Sequence, residues 1–367
     1  MMKNLLCLVA LFIISYTQAQ NILIVDNDPV IDTSPAHMFN NITDAIAAAN
    51  NGDIIYVQPS LISYGAVTIN KEITLFGSGY APELNDGRRT ELSSVRIDAD
   101  NIKISGFYIS TYITYNSSTS TSDNIIIEDN FVNQTIFVGS TNAGHTTTNN
   151  NWIIRGNIIN YGITLHADPT KCINTVITNN HITLLNGNAT ASYALRYFND
   201  TTIFNNNVVR INHTWGNTNI FPNMTGDVTA FNNIFISNGI NTLFTPTTGR
   251  TLTLNNSISY MSTGGTLSLA MPGTGNFDNQ NPFFTSVASS AFDMAPEDDF
   301  TLSPSSVGLN AGSDGNDIGI FNGDYDFDMR GYPTELPYLT SFTISNNLIE
   351  AGENINVNVK ANANKSN

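Results

Sequence analysis

The sequence predicts an all-β solenoid in which short coils stack in parallel, and three observations carry that reading. A phrase of the form apolar-x-apolar-x-x-Asn-apolar-apolar returns every 23 to 27 residues, with Asn130, Asn157, Asn180, Asn207 and Asn233 in one column and Ser257 ending it. Within the phrase, apolar residues alternate. Ile127, Ile154, Ile177, Phe204, Ala230 and Leu254 lie three before the column, and Ile125, Trp152, Thr175, Thr202, Val228 and Leu252 lie five before. Composition agrees, since about one residue in seven is Asn while Lys and Glu are scarce. A fixed period of this length marks a repeat whose units cover one another's cores.

Each element follows from local pattern. Period-2 alternation gives a strand with one face inward. The column Asn is read as both a turn residue and a rung, since Asn tolerates left-handed backbone. Its amide carries donors and acceptors, so like residues on successive coils can bond along the axis. Further strand follows at Val132, Ile159, Ile182, Val209 and Phe235. Successive coils about 4.8 Å apart make roughly nine coils a rod on the order of 40–45 Å long.

Residues 40–51 read as a helix, with Asn41 as cap, Asn51-Gly52 as stop, and Phe39, Ile42, Ile46 and Ala49 on one face. The helix is expected to plug the first coil. Residues 1–19 read as a signal peptide: Lys3, the run LLCLVALFII, then Thr17-Gln18-Ala19 before Gln20. The run is too short to span a membrane. Residues 20–335 form the solenoid, with an N-terminal cap over 20–52 and a Gly/Asp/Pro-rich closing segment over 271–335. Residues 336–367 hold two further alternating runs, read as a hairpin-like β-strand cap.

The Asn-apolar repeat resembles the right-handed parallel β-helix superfamily, the pectate-lyase-like fold. So do the opening ITDAIAAANNGDIIYVQPS with TINKEITLFGSGY and the closing DFTLSPSSVGLNAGSDGNDIGIFNGD. The resemblance covers most of the chain after residue 19. It implies a capping helix running into the first coil and a closing segment that ends the helix. The fold hosts lyases, hydrolases, esterases, epimerases and adhesins, so function must be argued from site residues.

Formal charge is −16, and −17 once Lys3 is removed. Nucleic acid is excluded as a partner, because it needs clustered Lys and Arg. Uronate elimination needs cations at the carboxylate plus a base, and the Arg and Lys here are scattered. No cofactor motif is present. Calcium is the one cofactor the sequence admits, through the acidic closing segment that includes Asp314, Asp317 and Asp324. Turn-making Asp beside Gly is the other reading.

Zinc-ligand spacing, GxSxG, NTD-DD-GHG and RxxRxPxxR series are all absent. Arg210 and His213 are read just past a turn, in a loop with Trp215, as a polar and aromatic site. Tyr108, Tyr112 and Tyr115 in FYISTYITY could stack on sugars. Glu128 and Arg155 are read as an exposed interstrand ion pair of about 0–1 kcal/mol. His181 is read as packed or at an edge, and Cys172 as a buried apolar residue. Lys103, Ile126, Ile153, Val176, Ile203, Thr229 and Thr253 form an outward stripe, read as covered by a loop or tail in preference to the floor of a binding face.

Two function classes stay open. One is an exported protein associating with extracellular or cell-surface polysaccharide, as a binder, lyase or glycoside hydrolase. The other is a structural or adhesive surface protein. The charge yields a negative prediction. Pectate and alginate, with or without calcium, should give no rise in absorbance from unsaturated products above the no-enzyme baseline. A protein-dependent rise abolished by Arg210→Ala would overturn it.

Overall fold

The computed structural model describes residues 20–84, 87–115, 121–185, 195–212, 219–239, 243–267, 270–287, 295, 297–323, 325–345, 352 and 354–362. Each coil lays down short strands that pair in parallel with their counterparts one coil away. One central coil contributes Ile153–Arg155, Ile158–Asn160 and Ile163–Thr164. In the next coil Val176 lies opposite Ile153, His181 opposite Ile158 and Leu195 opposite Ile163. Among the described residues this stacking builds a first sheet of eleven strands, a second of eight and a third of six. The molecule is a parallel β-helix, right-handed as strand-crossover-strand connections within one sheet are.

Alternation sorts the side chains. Ile127, Ile154, Ile177 and Phe204 from the first sheet, Val132, Ile159, Ile182 and Val209 from the second, and Ile113, Ile136, Ile163 and Leu195 from the third are fully buried in one core. Trp152 joins them, and its Nε1 donates to the Ser122 carbonyl at 2.5 Å. Towards the far end the core fills with rings, Phe198, Phe204, Phe221, Phe235 and Phe244, at centroid spacings of 5.2–6.3 Å. At the near end the helix Ile42–Ala48 buries Ile42, Ala45 and Ile46 against that core. Asn41 caps it by accepting from the Asp44 N–H at 2.8 Å.

Two adjacent positions in each coil do opposite work. The column Asn side chains point inward and are fully buried. Asn157 Oδ1 accepts from Asn130 N and Nδ2 at 3.0 and 3.1 Å, and the same pair of bonds recurs from Asn157 to Asn180, Asn180 to Asn207 and Asn207 to Asn233. The left-handed backbone expected at these Asn belongs instead to the residue before. The φ angle is +56° at Asp129, +65° at Gly156, +54° at Asn179, +56° at Asn206, +59° at Asn232 and +46° at Asn256. A separate row, Asn101, Asn124, Asn151 and Asn174, is also left-handed, and its side chains bond each to the next at 2.9–3.0 Å. The sequence reading missed this row, although it sits a constant six residues before the inward column.

The closing segment, expected to end the rod, runs back along its side. Ser313 donates to Asn232 Oδ1 at 2.8 Å. Asn179 Nδ2 donates to the carbonyls of Ile320, at 2.8 Å, and Asn322. Tyr325 reaches Asp129, and Glu335 reaches Lys103. These partners lie on successively earlier coils. The strap buries the outward column of the second sheet, with Ile158, Val208, Ile234 and Ile258 packed with Phe300, Ile318, Ile320 and Phe327. The stripe on the first sheet is not fully covered: Ile126, Ile153 and Val176 are half-buried, but Ile203 is 47% exposed.

Strands Tyr338–Ile344 and Val357–Asn362 pair antiparallel. Phe342, Ile344, Val357 and Val359 are exposed, so among the described residues this hairpin covers no part of the solenoid core. The hairpin expected over residues 336–367 is present.

Asn180 sits in the middle of the amide column. Its Nδ2 also donates to the carbonyls of Ile154 and Thr178, at 2.8 and 2.9 Å. Replacing it by Leu strands donors on Asn157 and buried carbonyls at once. Asn180→Leu should lower stability by roughly 1–3 kcal/mol, read by thermal or urea unfolding. An unchanged midpoint would sink the assigned role of this column.

Candidate functional site

An open groove lies on the third sheet. Its outward residues run in register from Thr68 to Arg96, Thr114, Phe137, Thr164 and Arg196. They face out because Val67, Val95, Ile113, Ile136, Ile163 and Leu195 alternate with them and are buried. At the near end a groove of about 810 Å³, its open mouth included, is lined by Ala66, Thr68, Ser94, Arg96, Tyr112 and Thr114 together with inward neighbours. Tyr112 is 39% exposed and rests edge-on against Phe137, with centroids 6.2 Å apart. That contact fixes a ring at the groove wall. Further along, Thr164 is buried, which limits the open stretch.

The three tyrosines do not form one platform. Tyr112 lines the groove, Tyr115 turns inward and is 8% exposed, and Tyr108 stands on the second sheet beneath the Arg89 guanidinium. Strand alternation and the coil's bend separate them. Arg210 is likewise not in a loop. It lies within the strand Val208–Asn212, fully buried, 3.3 Å from His181 Nε2 and 5.5 Å from the centre of the Phe300 ring. The strap closes over it, so it is not an exposed catalytic group. His213 and Trp215 lie outside the described residues. Burial, then the Arg210 charge, holds His181 well below the usual histidine range. It is a packed neutral imidazole in register with Ile158 and Val208.

The densest charge cluster sits under the end of the strap. Glu128 is fully buried, which corrects its reading as an exposed pair. Its carboxylate meets the Arg155 guanidinium at 2.8 Å and the Lys103 ammonium. Lys103 also pairs with Glu335 of the strap, and Arg155 lies 4.4 Å from the centre of the Tyr325 ring. Tyr325 Oη donates to Asp129 Oδ2 at 2.7 Å. Gly156 makes room: a Cβ there would sit 2.3 Å from the Tyr325 ring. Burial, then neighbouring Glu128, pushes the Asp129 carboxyl well above the usual range. Several charges converge here, but beneath a covering segment rather than in a groove. The cluster reads as the strap's anchor.

The remaining candidates are dispersed. Asp314 accepts from Asn316 and Asn322, and Asp317 accepts from the Asn310 N–H at 2.8 Å. Asp324 lies outside the described residues. Among the described residues no three His, Cys, Asp or Glu side chains are grouped to hold a metal ion. Cys172 is a free, buried thiol, pushed up to about 11 by burial, as suits an inert packing residue.

The anchor carries a signed pH dependence. A carboxyl whose folded pKa is raised contributes stability that is complete below its unfolded value and is lost as pH rises through the folded value. The equivalent left-handed positions hold Asn at 179, 206, 232 and 256. Asp129→Asn should therefore fold, exceed wild type at pH 8 by on the order of 1 kcal/mol, and flatten the fall in thermal midpoint between pH 5 and 8. An unaltered pH slope would show that Asp129 does not carry the effect.

No protein-family model matches the chain, and no curated protein matches it. Among solved structures, the crystal structure of pectate lyase Pel9A is similar at 14% identity, over 83% of this chain and 97% of that one, with a TM-score of 0.27.

Proposed function

We propose that this is an exported solenoid that holds a polysaccharide against the outer face of its third sheet without cleaving it. The observation that carries the reading is the lining of the groove. It offers a fixed exposed ring, the hydroxyls of Thr68, Ser94 and Thr114, and the Arg96 guanidinium, with no carboxylate or imidazole among the described residues. Rings take the apolar faces of sugars, and hydroxyls bond their polar edges. General acid-base chemistry on a glycosidic bond is best served by a carboxyl or imidazole within reach, whereas the titratable groups of this lining are the Tyr112 and Tyr115 phenols and the Arg96 guanidinium. Export rests on the signal-peptide pattern of residues 1–19. The strong negative charge favours neutral polymers over polyanions.

Affinity electrophoresis through gels containing single polysaccharides tests this directly. At least one neutral polymer should retard the protein, and Tyr112→Ala should weaken retention about 5–30-fold, the equivalent of roughly 1–2 kcal/mol. Reducing-end and unsaturated-product assays on the same polymer should stay at baseline. Retention by no polymer would favour the alternative, a spacer or adhesive rod, which the exposed row of bonded Asn side chains supports. Release of products would refute the non-catalytic assignment.

A further inference from the structure

The strap is held in two different ways along its length. From Ala311 to Asn322 its contacts with the coils are neutral. Asn256, Asn232 and Asn179 bond the backbone of Ala311, Ser313, Ile320 and Asn322, and Ile318 and Ile320 pack against the second sheet. Amides and aliphatic side chains do not titrate. From Tyr325 to Pro337 the contacts are ionisable, with Phe327 adding apolar packing. Tyr325, its ring against the Arg155 guanidinium, donates through Oη to Asp129 Oδ2. Glu335 pairs with Lys103, and Asp328 pairs with Arg330. Tyr80 Oη donates to the Asp328 carbonyl at 3.3 Å, and Tyr332 faces Arg330. Among the described residues this end brings together the four carboxyls of Glu128, Asp129, Asp328 and Glu335 and the three cations of Lys103, Arg155 and Arg330. Lys103 and Arg155 are committed to Glu128, and Arg330 to Asp328. Asp129 is the carboxyl left over, and its buried Oδ1 accepts no hydrogen bond.

We propose that residues 325–337 are a pH-operated latch, which lies on the coils while Asp129 is protonated and detaches when it ionises, leaving the upstream strap and the rod in place. A buried charge with neither a counter-ion nor enough donors is costly, and detachment hydrates it. Burial, then Glu128, holds the Asp129 carboxyl above the ordinary range. Closure is therefore favoured at low pH and lost as pH rises through the folded value. The other groups do not titrate in that window. Burial pushes the Tyr325 and Tyr80 phenols up, so they stay protonated. Burial raises Glu335, but its bond to Lys103 outweighs this and holds it below the usual range, so it stays ionised. Opening uncovers Glu128, Arg155 and Lys103. It also frees the root of the hairpin, whose first strand begins at Tyr338.

Hydrogen-exchange mass spectrometry on the purified protein at pH 5 and pH 8, corrected for the intrinsic pH dependence of exchange, tests this. Protection of the amides in 325–337 should fall about tenfold or more between the two, while that of 311–322 and of the strand Ile153–Arg155 stays level. Asp129→Asn cannot ionise and should keep 325–337 protected at pH 8. At that pH trypsin should cut the Arg330–Gly331 bond of wild type about tenfold faster than that of the variant. Equal loss of protection along the whole strap, no loss at pH 8, or cleavage of the variant as fast as wild type would each overturn the latch. Should the variant not fold, the wild-type exchange pattern decides the matter by itself.

Discussion

Everything in this molecule hangs on one backbone constraint, the single left-handed residue that turns each coil out of the first sheet. L-residues enter that region at a steric cost, which Asn tolerates best and Gly avoids. The chain accordingly places Asn, Gly or Asp there at 129, 156, 179, 206, 232 and 256. Because the turn is the same in successive coils, the next residue always points inward, where the amides of Asn130 to Asn233 bond along the axis. The turn residues themselves line a seam on the outside. A closed stack of coils thereby gains a second use for its asparagines.

The seam is what the closing segment reads. Asn179, Asn232 and Asn256 supply amides to the strap's backbone, while Gly156 yields space for Tyr325. The strap in turn decides which outer surface of the rod is available. It seals the second sheet from Ile158 onwards and covers Glu128 and Arg210. Among the described residues the near end of the third sheet is left open. The coils present three sheet faces, and the strap covers part of them.

Repeat period, inward columns and the plugging helix were legible in the sequence because they rest on local alternation and capping, which a linear pattern preserves. The strap was not legible. Its Gly and Asp turns look like any loop, and its partners lie up to 248 residues away in sequence, as Tyr80 and Asp328 do. The same gap explains the misreadings. Glu128 and Arg210 alternate outward, which predicts exposure unless a distant segment covers them. The outer Asn row beginning at Asn101 could have been found from its fixed offset. The three tyrosines needed the coil's bend, which periodicity does not encode.

The distribution of chemistry between inside and outside bears most directly on function. His181, Arg210, Glu128 and Asp129 are all fully buried, each packed into or beneath the strap. A catalytic site requires such groups to meet a substrate and cycle protons with it. These four side chains hold the protein to itself, and the Glu128 charge is matched by Lys103 and Arg155. The groove of the third sheet carries rings, hydroxyls and a guanidinium group. The partition follows from where the left-handed turns direct the returning chain.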